Sequence, residues 1–239
     1  MSASIESKVP SGIAGLDEML RGGFPSGHVV LVLGPPGVGK TCFGLQFLMG
    51  GLAREEKGIY LSLEEDVSAL EATARQFSWP LEDGVRRGKI KIVRLDPRQA
   101  NTSMKRIMGE LPREFEEFKP KRMVIDSVSL LSLLAESDAQ RREVLFDLAS
   151  ACRKCGATTI FTGEADPNHP ETSRDGLSEY VADGVVLLNY QDEADRRRVG
   201  LVMRVVKMRR TAHARTRQPY VISSRGIEVD AKAVDLGRV

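Results

Sequence analysis

Residues 34–41 read GPPGVGKT and fit the spacing G-x-x-x-x-G-K-[ST]. This spacing is typical of a loop that wraps the phosphates of a nucleoside triphosphate, because glycine lets several backbone N–H groups turn toward one anion. In such a loop Lys40 contacts the β- and γ-phosphates, and the Thr41 hydroxyl is a ligand of Mg²⁺. The residues predicted to bind the nucleotide are Gly34, Gly37, Val38, Gly39, Lys40, Thr41 and Cys42.

A loop of this kind lies between a buried strand and a helix. Residues 28–33, HVVLVL, are β-branched and apolar and predict the strand. Residues 42–53 carry large apolar side chains near helical spacing and predict the helix, whose N-terminus adds partial positive charge at the phosphates. Both flanking elements are therefore present, and the sequence predicts a nucleotide site here.

Two acidic side chains follow the next predicted strand, residues 59–63. A carboxylate at the carboxyl end of a strand in an open α/β sheet lies at the ligand crevice. We therefore expect Glu64 to orient or activate the water that attacks the γ-phosphate, which places it with Lys40 in the catalytic set. Glu65 is a second catalytic candidate, and its alternative role is to favour the N-terminus of the helix that follows.

A third predicted strand, residues 123–125, ends in Asp126. An apolar strand followed by aspartate is typical of the second nucleotide-binding motif, in which the carboxylate holds Mg²⁺, often through water. Thr41 and Asp126 are therefore the predicted metal ligands, and Ser127 is expected to cap the next turn.

The remaining pattern predicts an α/β fold in one domain over residues 1–239. Residues 8–27 read as an opening segment that packs beside the nucleotide strand, and Pro112 is expected to kink the helix at 102–118. The sheet should begin with parallel β-α-β units and finish with an antiparallel C-terminal hairpin. The other predicted helices are 66–77 and 137–155, and the other predicted strands are 89–95, 157–163, 180–190, 199–208, 220–222 and 226–229.

Composition sets the class of protein. The chain has 239 residues, 41% of them hydrophobic, so it can bury a sizeable core. Its net charge is only +2, and nothing in the overall charge demands a polyanionic partner. We expect no transmembrane helix, no signal peptide and a cytoplasmic location. Three cysteines argue against a disulfide framework, and for Cys152 and Cys155 packing is favoured over a redox pair.

Cations cluster near the C-terminus with no acid among them: Arg196, Arg197, Arg198, Arg204, Lys207, Arg209, Arg210, Arg215 and Arg217, with His213. This segment is either a solvated hairpin or a surface that faces an anion. The anion would be the γ-phosphate of a neighbouring subunit's ATP or a nucleic-acid backbone. Interleaved aromatic residues are missing, and acids outnumber Arg174 in residues 164–178, which weakens the prediction that single-stranded DNA binds here.

Together these segments resemble the RecA-superfamily ATPases of the KaiC-like kind. The matching runs are SGIAGLDEMLRGGFPSGHVVLVLGPPGVGKT, IYLSLEE, MVIDS, EYVADGVVLL and DRRRVGLVMRVVKMRRTAH, the last with the signature K-x-R-x-T-x-H. The resemblance implies a RecA-like fold, ATP as the nucleotide, and a hexameric ring with ATP between subunits. It also implies that Lys207 and Arg209 reach the γ-phosphate bound by a neighbour.

The resemblance leaves two main hypotheses for function. The first is a ring-forming ATPase that signals to or regulates a protein partner. The second is an accessory protein of DNA recombination and repair that binds single-stranded DNA, because archaeal RadA paralogues look similar. A scaffold with negligible turnover is a third. The adjacent phosphorylation pair of the family's clock members falls on Glu179 and Tyr180, so that kind of autophosphorylation is not expected.

Overall fold

The computed structural model describes residues 7–96, 98–135, 137–192 and 199–231. Most of the predicted turn at 191–196, together with Arg196, Arg197 and Arg198, lies outside these ranges. The strands are β1 Lys8–Val9, β2 Phe24–Pro25, β3 Val29–Gly34, β4 Gly58–Ser62, β5 Ile90–Arg94, β6 Arg122–Asp126, β7 Thr158–Glu164, β8 Gly184–Asp192, β9 Val199–Met208, β10 Gln218–Ser223 and β11 Gly226–Val229. The α-helices are α1 Leu16–Met19, α2 Lys40–Leu52, α3 Val67–Gln76, α4 Leu81–Arg86, α5 Ala100–Lys105, α6 Leu111–Phe118, α7 Asp138–Lys154 and α8 Ser178–Val181.

Within the described residues, nine strands form one sheet in the order β11-β10-β9-β8-β3-β7-β6-β4-β5. The strands from β8 to β5 in this order run parallel, whereas β8, β9, β10 and β11 pair antiparallel. This confirms the predicted largely parallel sheet with an antiparallel C-terminal part. The carboxyl ends of β3, β4, β6 and β7 therefore meet at one edge of the sheet.

Helices cover both faces of the sheet. Alternate residues of β3 point to opposite sides: Val30 and Val32 pack with α2, and Leu31 and Leu33 pack with α7 and its neighbours. A strand buried on both faces reads as a continuous apolar run, and this is why the pattern of residues 28–33 predicts β3 correctly. Two hydrophobic cores, one on each face, hold the strand that carries the phosphate loop.

The structure departs from the predicted elements in several places. Residues 178–181 form the short helix α8, so the strand predicted to begin at residue 180 begins at Gly184. The carboxylate of Asp175 accepts hydrogen bonds from the first turn of that helix, which stabilises a helical start over an extended one. Helix α4 was not predicted, and a π-helical segment, Arg106–Glu110, precedes Pro112 where a kink was expected.

The opening segment lies across α2 and β11. The amide of Gln46 donates to the carbonyl oxygens of Gly12 and Ile227, both at 3.1 Å. A Cβ built on Gly12 would lie 3.0 Å from the Cα of Gly50, so the segment approaches the helix as closely as glycine permits. Among the described residues, no helix has the length and apolar character needed to cross a bilayer.

Candidate functional site

The phosphate loop connects β3 to α2 with two residues in the left-handed region, Gly37 at φ +84° and Gly39 at φ +91°. These angles strain any residue with a Cβ, which explains the glycines in the motif. The Nζ of Lys40 donates to the carbonyl oxygens of Gly34 at 2.9 Å and Pro35 at 3.0 Å, so the ammonium group lies over the loop. Burial lowers the pKa of Lys40, and the carboxylates of Asp126 and Glu64 oppose this shift.

Three side chains from the antiparallel strands hold this loop from outside. The hydroxyl of Tyr190 donates to the carbonyl oxygen of Pro36 at 3.0 Å, and that of Tyr220 donates to the carbonyl oxygen of Val38 at 2.6 Å. The side chain of Ile222 lies against Gly39. These residues were not predicted, since the sequence gives no signal for contacts that span more than 150 positions.

Asp126 is the centre of a buried polar cluster at the end of β6, with only 2% of its surface exposed. Its Oδ2 accepts hydrogen bonds from Thr41 Oγ1 at 2.9 Å and from the Tyr60 hydroxyl at 2.5 Å, and its Oδ1 accepts one from Thr162. Burial and the adjacent carboxylate raise the pKa of Tyr60 well above its usual value, so the phenol remains a donor. Tyr60 and Thr162 were not predicted.

The cluster fits the metal that the sequence predicts. The hydroxyl of Thr41 and the carboxylate of Asp126 converge from two elements, and Mg²⁺ prefers such oxygen ligands. No group of three or more His, Cys, Asp or Glu side chains that could hold a metal occurs in the described ranges. In nucleotide sites one or two protein ligands hold Mg²⁺, and oxygens of phosphate and water complete its coordination.

Tyr60→Phe removes one hydrogen bond that orients the Asp126 carboxylate. Partners of metal ligands are worth 10–100-fold in metal affinity, so we expect the Mg²⁺ concentration for half-maximal ATP turnover to rise about tenfold. A Mg²⁺ titration at saturating ATP measures this shift. Tyr190→Phe is the matched control, because it removes a tyrosine hydroxyl that contacts the loop rather than Asp126; equal shifts in both variants would contradict the assignment.

Glu64 and Glu65 follow β4 at the same edge of the sheet. Burial raises the pKa of each, and the negative charge of Asp126 raises it further, so both carboxyl groups lie near the metal cluster. The positive charge of Lys40 partly offsets the rise in the pKa of Glu64. Glu64 therefore lies near the ammonium group that the motif assigns to the phosphates. The structure therefore brings Glu64 to the catalytic side of the loop, and its role stays a prediction.

A further carboxylate, Glu164, lies at this edge. It ends β7 opposite Gly34 in the register, influences both Lys40 and Glu64 electrostatically, and pairs with Arg174 at 2.9 Å. In the sequence it appeared only as one acid of the polar loop, because strand register cannot be deduced from the local pattern. The structure thus adds a third carboxylate to the predicted pair.

Lys207 and Arg209 lie far from their own phosphate loop. Met208 pairs with Gly184, which pairs with Val30 near the start of β3, whereas the loop begins at the other end of that strand. Arg209 lies level with Val29 through Asp183, and the five residue steps from Val29 to Gly34 span about 16 Å. We call Lys207 and Arg209 the distal cation pair, because the sheet keeps both from the site that their own chain forms.

Two other cations of the basic segment have an acidic partner within the chain. Arg204 pairs with Glu171 at 2.6 Å, and Arg217 lies 3.7 Å from the same carboxylate. This part of the segment is therefore not a continuous bare cationic surface.

The two cysteines of the C-x-x-C motif are free thiols. Burial raises the pKa of Cys152 to about 12 and also raises the pKa of Cys155. A reactive thiol needs a lowered pKa, so neither cysteine has the character of a redox pair.

Comparisons with known proteins support the predicted family and fold. A family model described as "ATPase: KaiC" matches residues 9–234. The chain is 31% identical over 231 residues to the circadian clock oscillator protein KaiC of Prochlorococcus marinus subsp. pastoris, covering 94% of this chain and 45% of the relative. It is 32% identical over 231 residues to the circadian clock protein KaiC3 of Synechocystis, covering 93% and 45%.

A crystal structure gives the same result at the level of fold. The KaiC-like protein of the hyperthermophilic archaeon Pyrococcus horikoshii OT3 superimposes with a TM-score of 0.82 and 34% sequence identity, covering 93% of this chain and 98% of that one. By contrast, the chain spans about half the length of the clock proteins it matches.

Proposed function

This chain belongs to the KaiC family of ATPases, and we propose that it hydrolyses ATP with Mg²⁺ at sites shared between neighbouring subunits of a ring. One subunit supplies the phosphate loop, the metal ligands and the catalytic carboxylate. The next subunit supplies the distal cation pair. The observation that carries this proposal is the position of Arg209, which lies beside the start of β3 whereas the phosphate loop follows the end of that strand.

The first half of the site binds the nucleotide. Backbone N–H groups of the loop and the ammonium group of Lys40 bind the phosphates, and Thr41 and Asp126 would hold Mg²⁺. The metal, when bound, neutralises charge that develops on the phosphate oxygens. Glu64 orients the attacking water and accepts its proton. Glu65 and Glu164 add negative charge nearby, which favours a cation in this part of the site.

The second half is built around the distal cation pair, and Arg209 lies beside the start of β3 rather than its end. Lys207, Arg209 and the exposed Tyr180 line an open cavity of about 700 Å³. Cations that cannot reach their own nucleotide can act on one bound by another copy, where a guanidinium stabilises the charge of the transition state. Hydrolysis would then depend on assembly, because an isolated subunit lacks the second half.

Assembly is therefore the direct test. We expect size-exclusion chromatography with light scattering to show a ring, with a hexamer as the expected size, when ATP and Mg²⁺ are present. Lys40→Ala, which loses the phosphate-binding ammonium, should stay smaller under the same conditions. Full ATP turnover by a species that remains a monomer at every protein concentration would contradict the shared site.

The biological output that we propose is regulation of a protein partner according to nucleotide state. The alternative role in DNA repair receives less support, because Arg204 and Arg217 share Glu171 and the loop at 164–178 is mainly acidic. Salt-dependent binding of single-stranded DNA, measured by fluorescence anisotropy, would favour that alternative.

A further inference from the structure

Asp183 holds the distal cation pair in place. It is the residue just before β8, only 8% of its surface is exposed, and the proposed function assigns it no part. Its Oδ1 accepts a hydrogen bond from the Arg209 guanidinium at 3.2 Å, and its backbone carbonyl accepts the Arg209 N–H at 3.0 Å. Both the side chain and the main chain of Arg209 are thus fixed by one residue.

The same carboxylate is itself firmly anchored. Its Oδ2 accepts the Val29 N–H at 3.1 Å and two hydrogen bonds from Arg153, at 3.0 and 3.2 Å. Burial by itself would raise the pKa of Asp183. The hydrogen bond from the Val29 N–H and the charge of Arg153 outweigh the effect of burial and keep this pKa below its ordinary value. Asp183 is therefore a fixed anion tied to the start of β3.

Lys207 is held by the residues just before Asp183. Its Nζ donates to the carbonyl oxygens of Ala182 at 2.8 Å and Glu179 at 3.2 Å, at the end of α8. The β8–β9 pairing is irregular between Val185 and Val186, and such a bulge re-aims the side chains that follow it. At Gly184 a Cβ would lie 2.5 Å from the end of the Met208 side chain, so β8 and β9 pack closely there.

Half of the Arg209 side chain, 52%, remains exposed although one guanidinium nitrogen is bound to Asp183. An arginine held at one nitrogen keeps its other donors available in a fixed plane, which is the geometry that phosphate recognition needs. Preorganisation of this kind lowers the entropic cost of placing the cation at a transition state.

We infer that Asp183 is a positioning residue that aims Arg209 at the γ-phosphate bound by the neighbouring subunit. This role rests on the proposed shared site, and it specifies which residue orients the distal cation pair. Asp183 does not touch the nucleotide. Without its charge, Arg153, Lys207 and Arg209 would repel one another and Arg209 would lose its fixed direction.

The test is Asp183→Asn, which keeps the shape and removes the charge. We expect kcat for ATP to fall at least tenfold, because small displacements of a positioned catalytic group carry large kinetic costs, while KM changes by less than about threefold. Glu55→Gln is the matched control, since it removes a carboxylate that pairs with Arg87 and Lys89 beside the β4–β5 edge of the sheet; its kcat should stay within about twofold. A wild-type kcat in Asp183→Asn would overturn the inference.

Rings that mix two variants distinguish two effects of Asp183→Asn: a misplaced Arg209 that acts on the neighbouring subunit, and damage to the phosphate loop of the variant subunit itself. Glu64→Gln subunits bind ATP and carry an intact distal cation pair, so mixing them with Asp183→Asn subunits should restore turnover. Equal mixing gives about one quarter of the wild-type rate, because an intact loop then faces an intact cation pair at about one interface in four. Failure to restore turnover would overturn the inference, because the defect would then lie in the variant's own half-site through Val29.

The proposed function has its own control in the same experiment. Arg209→Ala mixed with Glu64→Gln must also recover turnover, and its failure would contradict the shared site itself. If that mixture recovers and the Asp183→Asn mixture does not, only the inference about Asp183 fails. If Asp183→Asn does not fold, Asp183→Glu is the second variant. It keeps the negative charge but displaces Arg209 by the length of one methylene. We expect it to show the same fall in kcat and the same recovery when mixed with Glu64→Gln subunits.

Discussion

Arg209→Ala is expected to lower ATP hydrolysis by about 10³-fold or more while leaving nucleotide binding nearly unchanged. The guanidinium lies at the end of β9, away from the phosphate loop of its own chain, so its removal leaves the binding half intact. What is lost is charge stabilisation in the transition state on the neighbouring subunit. Steady-state phosphate release and titration with a fluorescent ATP analogue measure the two quantities separately.

The matched control for this variant is Arg204→Ala, since Arg204 lies on the neighbouring strand β9 and pairs with Glu171 rather than with Asp183. Its turnover should stay within about threefold of wild type. Unchanged turnover in Arg209→Ala would remove the trans-acting arginine from the mechanism. A loss of ATP affinity equal to the loss of rate would also contradict it, because the group would then act in ground-state binding.

Glu64→Gln is expected to lower kcat by about 10²- to 10³-fold with little change in ATP affinity. The amide keeps the size of the side chain but cannot accept the proton of the attacking water. Single-turnover hydrolysis of bound ATP, followed by rapid quenching, measures the chemical step directly. The variant should still assemble, because the phosphate loop and the metal ligands are unchanged.

Glu65→Gln is the informative comparison, because the two carboxylates are adjacent and burial raises the pKa of both. At Glu64 the Lys40 ammonium partly opposes this rise in pKa, which places Glu64 on the phosphate side of the pair. We therefore expect Glu65→Gln to lose less than about tenfold in kcat. The reverse order of effects would assign the base to Glu65.

The local pattern predicted the parallel core of this protein because each element there follows a short-range rule. A strand buried on both faces is a continuous apolar run, as in β3, and a phosphate loop needs glycines at fixed spacing. The same reasoning failed at α8, where the Asp175 carboxylate accepts hydrogen bonds from Leu177 and Ser178 at the start of a short helix, although β-branched and aromatic residues there favour a strand. Capping depends on a side chain whose partner the periodicity does not reveal.

The sequence by itself therefore determined the class of fold, the phosphate loop and the acids at the ends of β4 and β6, because these follow from residue type and spacing within about ten positions. Tertiary structure alone decided which distant groups meet them. Tyr60 and Thr162 reach Asp126, and Tyr190 and Tyr220 reach the loop, through strand register set by the whole sheet. The sheet also placed Arg209 and Asp183 at the far end of β3, since strand length fixes what one subunit can reach.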